Sequence, residues 1–285
     1  MKNSYSKFFN LEINPFGETP DPDFYYNSVQ HNRALTQISS AIRSGKGFSL
    51  LTGEVGTGKT LLSRLLLTSV SKNDNTALIL FPKFTDLELL QAIVDEFEIE
   101  SPVHELKTIK AYLDHLNQFL LASLERGNQS ILVIDEAQAM SVEALEMIRL
   151  LTNLETKTKK LLQIVLIGQP ELLETLKKPE LRQLKQRIGS EAKLYGLDAI
   201  ETERYIKSRI EQVGNGNFVR FDEPAAKVIH TITSGIPRRI NQVCEQILGA
   251  AETKRVRLIH HNFVNEVLGR KSKSFFSIFS KKENL

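Results

Sequence analysis

Residues 53–60 read Gly-Glu-Val-Gly-Thr-Gly-Lys-Thr and follow directly on the apolar run Phe48-Ser49-Leu50-Leu51. A G-x-x-x-x-G-K-[ST] spacing between a buried-strand pattern and a helical pattern, here over residues 61–70, is the signature of a phosphate-binding loop. Gly53, Gly56 and Gly58 let the backbone turn tightly and approach an anion with no Cβ in the way, so that successive N–H groups converge on phosphate oxygens. The helix that begins at Lys59 adds its positive end. Glu54, Val55 and Thr57 complete the loop, and Leu61 lies in the first turn behind it. Lys59 is then placed to reach the outer phosphates as a point charge, and the Thr60 hydroxyl to hold Mg²⁺. The stretch predicts a nucleotide site. A Gly-rich turn that merely contains a lysine would not need strand, loop and helix in this order.

A second part of that site is expected at Ser130-Ile-Leu-Val-Ile-Asp-Glu-Ala-Gln138. Ile131 to Ile134 read as a short buried strand, and Asp135 and Glu136 stand at its C-terminal end, where open α/β sheets bind ligands. Asp135 is placed to fix the water shell of Mg²⁺, and Glu136 to orient the water that attacks a γ-phosphate. A further buried strand, Leu162 to Ile167, puts Gln169 just past its end. In a parallel sheet Gln169 shares the rim with the two acids and can read the γ-phosphate or the attacking water; taken alone, it is equally an ordinary loop residue.

Composition narrows the class. At 285 residues, 41% hydrophobic and 25% charged, the chain has the make-up of a soluble globular enzyme with one large domain and a smaller one. The lone Cys244 excludes an internal disulfide and a cysteine zinc cluster, and its apolar neighbours make it a core residue. No stretch has the length of a signal peptide or a membrane span, so the chain is expected in the cytoplasm. The formal charge of +3 is unevenly placed: residues 270–285 carry +4, leaving the body at about −1 and without a broad basic face for nucleic acid.

In chain order, residues 1–30 form an aromatic, proline-rich arm, expected to be non-helical because of Pro15, Gly17, Pro20 and Pro22 and to strap across the nucleotide-binding domain. That domain is expected over 31–194 as a parallel sheet with helices on both faces, its first helix running from Val29 to Ser44 and its later ones over 86–97, 108–126 and behind a Ser141 cap. Arg182 and Arg187, in the run Leu181 to Ile188, each read singly as solvated surface. Beyond a break near Lys193 to Leu197 the apolar rhythm is helical throughout, predicting a small all-helical domain over 195–268, with Pro224 and Pro237 in first turns. Residues 269–285 are a basic-aromatic tail.

These segments together, from the TPDPDFYY arm and the helix around His31 through GEVGTGKT, VIDEAQ, LIGQPEL and LRQLKQRI to SGIPRRINQVC, resemble the AAA+ ATPases of the ExeA/GspA type from bacterial secretion and pilus systems. Within that family the chain is most similar to the short branch associated with mannose-sensitive haemagglutinin (MSHA) pilus assembly. The resemblance spans about Phe8 to Leu268. It implies ATP with Mg²⁺, a first sensor at Gln169, and an arginine finger at Arg187, with Arg182 as second candidate, inserted into a neighbouring subunit's site. It also implies a second sensor at Arg238 that contacts the γ-phosphate from the helical lid. A homo-oligomer, working with pilus or secretion proteins at the inner membrane, follows from the same resemblance. Longer family members continue into a membrane span and a peptidoglycan-binding module, whereas this sequence stops at Leu285. The RKSKSFFSIFSKK tail suits an interfacial membrane anchor or a docking peptide, or else a disordered soluble end. A competing expectation is a DNA-binding AAA+ regulator of the transposition type, against which stand the near-neutral body and the absence of a helix-turn-helix or zinc pattern.

Overall fold

The computed structural model describes residues 4–17, 24–100, 107–214 and 218–269; the tail lies outside them. The first part of the chain runs α1 (Ser4–Phe8), α2 (Val29–Arg43), β1 (Phe48–Gly53), α3 (Lys59–Thr68), β2 (Asn75–Ile79), α4 (Asp86–Glu96), α5 (Ile109–Glu125), β3 (Ser130–Ile134), α6 (Val142–Leu151), β4 (Gln163–Gly168), α7 (Glu171–Thr175), α8 (Arg182–Gln186) and β5 (Ser190–Leu194). The rest runs α9 (Ala199–Glu211), β6 (Arg220–Phe221), α10 (Glu223–Thr233), α11 (Pro237–Thr253), β7 (Leu258–Ile259) and a helix over 261–269. The described residues form two compact units, one within 29–194 and one that combines those before residue 29 with those over 195–269.

In the first unit five parallel strands are ordered β2-β3-β4-β1-β5. Successive side chains of a strand point to opposite faces, and here both faces are covered, which is why the inner strands read as unbroken apolar runs. Leu50, Leu132, Ile134, Ile164 and Leu166 face one core with Leu90 and Ile93 of α4, Leu116 of α5 and Ile148 of α6. Leu51, Ile131, Val133, Val165 and Ile167 face the other with Ile38 and Ile42 of α2 and Leu62 and Leu66 of α3. All five strands end at one rim, and the loops that follow β1, β3 and β4 gather there. The Ser141 hydroxyl accepts the Ala144 N–H at 3.1 Å, fixing the start of α6 beyond that rim.

Strand β5 was not expected. Its sequence, Ser-Glu-Ala-Lys-Leu, is built of helix formers, and only the alternation of buried and exposed positions, imposed by pairing with β1 from Ser49↔Ser190 to Gly53↔Leu194, makes it an edge strand.

The second unit corrects three expectations. The aromatic arm belongs to its core: Phe9, Leu11 and Phe16 are fully or nearly fully buried with Ile206, Ile229, Ile240, Cys244 and Leu248. Arg209 fastens it, its Nε donating to the Pro15 carbonyl at 2.5 Å and its guanidinium lying 4.4 Å from the Phe24 ring centroid. The prolines do not exclude helix from the whole arm either, because α1 fits ahead of Pro15. The unit is also not wholly helical, since Arg220 and Phe221 pair in parallel with Leu258 and Ile259. Pro224 and Pro237 do sit in the first turns of α10 and α11, and burial pushes the Cys244 thiol pKa up, leaving it an inert core group.

Candidate nucleotide site

Gly53 ends β1 and is paired with Leu194, which leaves no room for a side chain: an added Cβ would lie 2.9 Å from the Leu194 carbonyl oxygen. The loop turns back under its own bonds, with Thr57 buried and its hydroxyl donating to the Glu54 carbonyl at 2.8 Å. Lys59 is 5% exposed, and its Nζ donates to the carbonyls of Gly53 and Glu54 at 2.8 and 3.0 Å. Val55 and Glu54 are exposed at the loop's outer edge, while Leu61 is half-buried in the first turn of α3.

Thr60 Oγ1 donates to Asp135 Oδ2 at 2.7 Å, so the helix start and the end of β3 meet directly. The other Asp135 oxygen accepts the Glu136 N–H at 2.8 Å. Glu136 itself adopts φ 51°, a left-handed conformation that costs a non-glycine residue about 1 kcal/mol and re-aims its side chain at the strand end. Its carboxylate is held by two amides: Gln138 Nε2 at 2.5 Å and Gln169 Nε2 at 3.3 Å. The Gln169 N–H donates in turn to Gln138 Oε1 at 3.0 Å, an arrangement that leaves Gln138 only one consistent orientation of its amide.

Burial shifts the two charges of this cluster in opposite directions. Desolvation lowers the Lys59 pKa, opposed by the charges of Glu136, Asp135, Glu54 and Glu171. Desolvation raises that of Asp135, opposed by the hydrogen bonds from Thr60 and the Glu136 backbone. Each is a charge held out of water, and an anion beside Lys59 or a cation beside Asp135 would relieve it.

Three comparisons bear on this arrangement. Residues 42–176 match the AAA domain family. General secretion pathway protein A of Aeromonas hydrophila is 41% identical over 261 residues, a match that covers 92% of this chain and 47% of that protein. Among solved structures, the Aeropyrum pernix ORC2 protein superposes with a TM-score of 0.61 at 17% identity, covering 87% of this chain and 71% of that one. The Thermotoga maritima RuvB branch migration motor gives 0.55 at 16%, covering 87% and 72%. The fold is that of an AAA P-loop NTPase. The chain is similar to general secretion pathway protein A over most of its own length and spans about half the length of that relative.

Within the AAA fold, Gly53 to Thr60, Asp135, Glu136 and Gln169 come together at one rim of the sheet. Arg187 does not join them. Gly189 N–H donates to the Phe48 carbonyl, at the start of β1, whereas the phosphate-binding loop leaves its other end, about 20 Å away along six residues. Arg187 is half-buried there, its Nη1 donating to Thr152 Oγ1 at 3.1 Å, and Arg182 is exposed at the start of α8. Arg238 is exposed in the first turn of α11, in the other unit.

Two residues of the site were not singled out from the sequence. Gln138 clamps Glu136 and Gln169 together, and the visible signal was its place in the same short segment as the two acids. His31, the third residue of α2, is 6% exposed, and its Nε2 lies 2.7 Å from the Thr57 carbonyl oxygen. A lone histidine opening a helix carries no such signal.

Proposed function

We propose that the chain is an ATPase that binds ATP with Mg²⁺ and works as a homo-oligomer to assemble or energise a general secretion complex or a type IV pilus of the MSHA kind at the inner membrane. The observation that carries this reading is the cluster at the sheet rim, where Thr60 touches Asp135 and two glutamines hold Glu136 beside the phosphate-binding loop. The pathway is taken from the likeness to general secretion pathway protein A. The location rests on that relative and on the basic-aromatic sequence 270–285; among the described residues no helix is long and apolar enough to cross a membrane.

Thr60 and Asp135 fit Mg²⁺ by the chemistry of the donor set: a hydroxyl and a desolvated carboxylate, both hard oxygens, in direct contact. The ion would supply neutralisation of the β- and γ-phosphate charge. Lys59 exchanges its bonds to its own loop for the phosphates. Glu136, held by Gln138 and Gln169, orients and polarises the attacking water, and Gln169 reads that water or the γ-phosphate. Arg238 contributes from the helical unit as second sensor. Arg187, far from the loop of its own chain, suits a group offered to a neighbouring subunit, with Arg182 as the alternative. Turnover of ATP by the purified chain tests the reading. Lys59→Ala should abolish nucleotide binding, and Glu136→Gln should bind ATP yet turn it over at least about a hundredfold more slowly; a Glu136→Gln chain as active as the wild type contradicts the assignment.

A second reading, a nucleic-acid-binding AAA+ regulator, is favoured by one observation. A cleft of about 550 Å³ at the opposite rim of the sheet, by the starts of β3 and β4, is lined by Arg43, Lys157, Lys159 and Lys160 against the single acid Glu155. Binding of duplex DNA that weakens steeply between low and moderate salt, and weakens less steeply in a Lys157→Ala, Lys159→Ala chain, would support it; no binding at low salt would remove it.

A further inference from the structure

We infer that His31 is a positioning residue that sets the direction in which the phosphate-binding loop presents its N–H donors, an inference that rests on the loop being a nucleotide site. The imidazole Nε2 stands 2.7 Å from the Thr57 carbonyl oxygen. A carbonyl oxygen only accepts, so Nε2 carries the proton of this bond. The peptide joining Thr57 to Gly58 is planar and trans, with its C=O and N–H on opposite sides. Anchoring the oxygen on α2 therefore turns the Gly58 N–H away from α2, the direction a phosphate-binding donor needs.

The lock answers a specific freedom of this loop. Gly58 has φ 98°, a conformation only glycine adopts without strain, and a residue so permissive lets the preceding peptide rotate at little cost. The imidazole removes that freedom from below, because it fills the space under the glycine: a Cβ at position 58 would lie 2.9 Å from His31 Nε2. On the other side the Thr57 hydroxyl is already tied to the Glu54 carbonyl. His31 thus holds the Thr57–Gly58 peptide, whereas the loop's own side chains bond the Gly53 and Glu54 carbonyls, and holds it from a helix that packs on the sheet through Ile38 and Ile42.

The test is nucleotide affinity and the split between KM and kcat in His31→Leu and His31→Gln, with thermal unfolding of the nucleotide-free chains alongside. Leucine fills the space without a donor, and glutamine restores an N–H at comparable reach. We expect His31→Leu to weaken ADP and ATP binding and raise KM about tenfold or more, with kcat changed far less, and His31→Gln to recover most of the loss. A leucine variant that binds as the wild type does, or a glutamine variant no better than leucine, overturns the inference. Should the leucine chain unfold, His31→Asn, whose amide is too short to reach Thr57, takes its place against His31→Gln with the same two outcomes. Failure of the wild type to bind any nucleotide would instead overturn the nucleotide reading, and this inference with it.

Discussion

Gln138 joins two groups of the site's catalytic edge, the Glu136 carboxylate and the Gln169 N–H, through one amide, and its loss separates a role in orientation from a role in binding. Gln138→Leu should leave ATP affinity within about twofold while lowering kcat about tenfold or more, because the charge-assisted bond that aims Glu136 is gone. Unchanged kcat would show that Glu136 is held by Gln169 alone. At this scale the sequence was legible where a motif dictates backbone geometry. The glycines, Lys59 and Thr60 are bound to their spacing by the anion they must surround, and Asp135 and Glu136 by the end of an apolar run. His31 was not legible because its partner lies 26 residues away along the chain; Gln138 sits two residues from Glu136, but its second partner, the Gln169 N–H, lies 31 residues on, and nothing local marks that bond.

At the scale of elements, periodicity located the three inner strands and the long helices, since a strand covered on both faces and a helix covered on one leave patterns that survive in sequence. It failed for β5, where pairing with β1 overrides the helical preference of Glu, Ala, Lys and Leu. It failed also for the arm, whose aromatic residues plainly needed cover but did not say what would cover them. Arg209 gives that answer physical content. The residue is 6% exposed, and its guanidinium serves the carbonyls of Pro15 and Gly17. Arg209→Leu leaves those carbonyls without their donor and removes the stacking on Phe24, and should destabilise the helical unit by about 2–3 kcal/mol in urea unfolding. A loss under about 0.5 kcal/mol would mean that Phe9 and Phe16 hold the arm by themselves.

At the scale of the whole molecule, the phosphate-binding loop follows one end of β1 and Arg187 lies near the other, where it bonds Thr152 of its own chain. We propose that Arg187 completes the site of a second copy. The most direct test is ATP turnover of Arg187→Ala and Glu136→Gln chains, measured separately and then mixed, over a range of concentration. If sites are shared, each variant alone is inactive, wild-type turnover per chain rises with concentration, and the mixture regains activity because some sites pair an intact Glu136 with an intact Arg187. If turnover per chain is independent of concentration and Arg187→Ala matches the wild type, hydrolysis belongs to a single chain and the shared site is wrong.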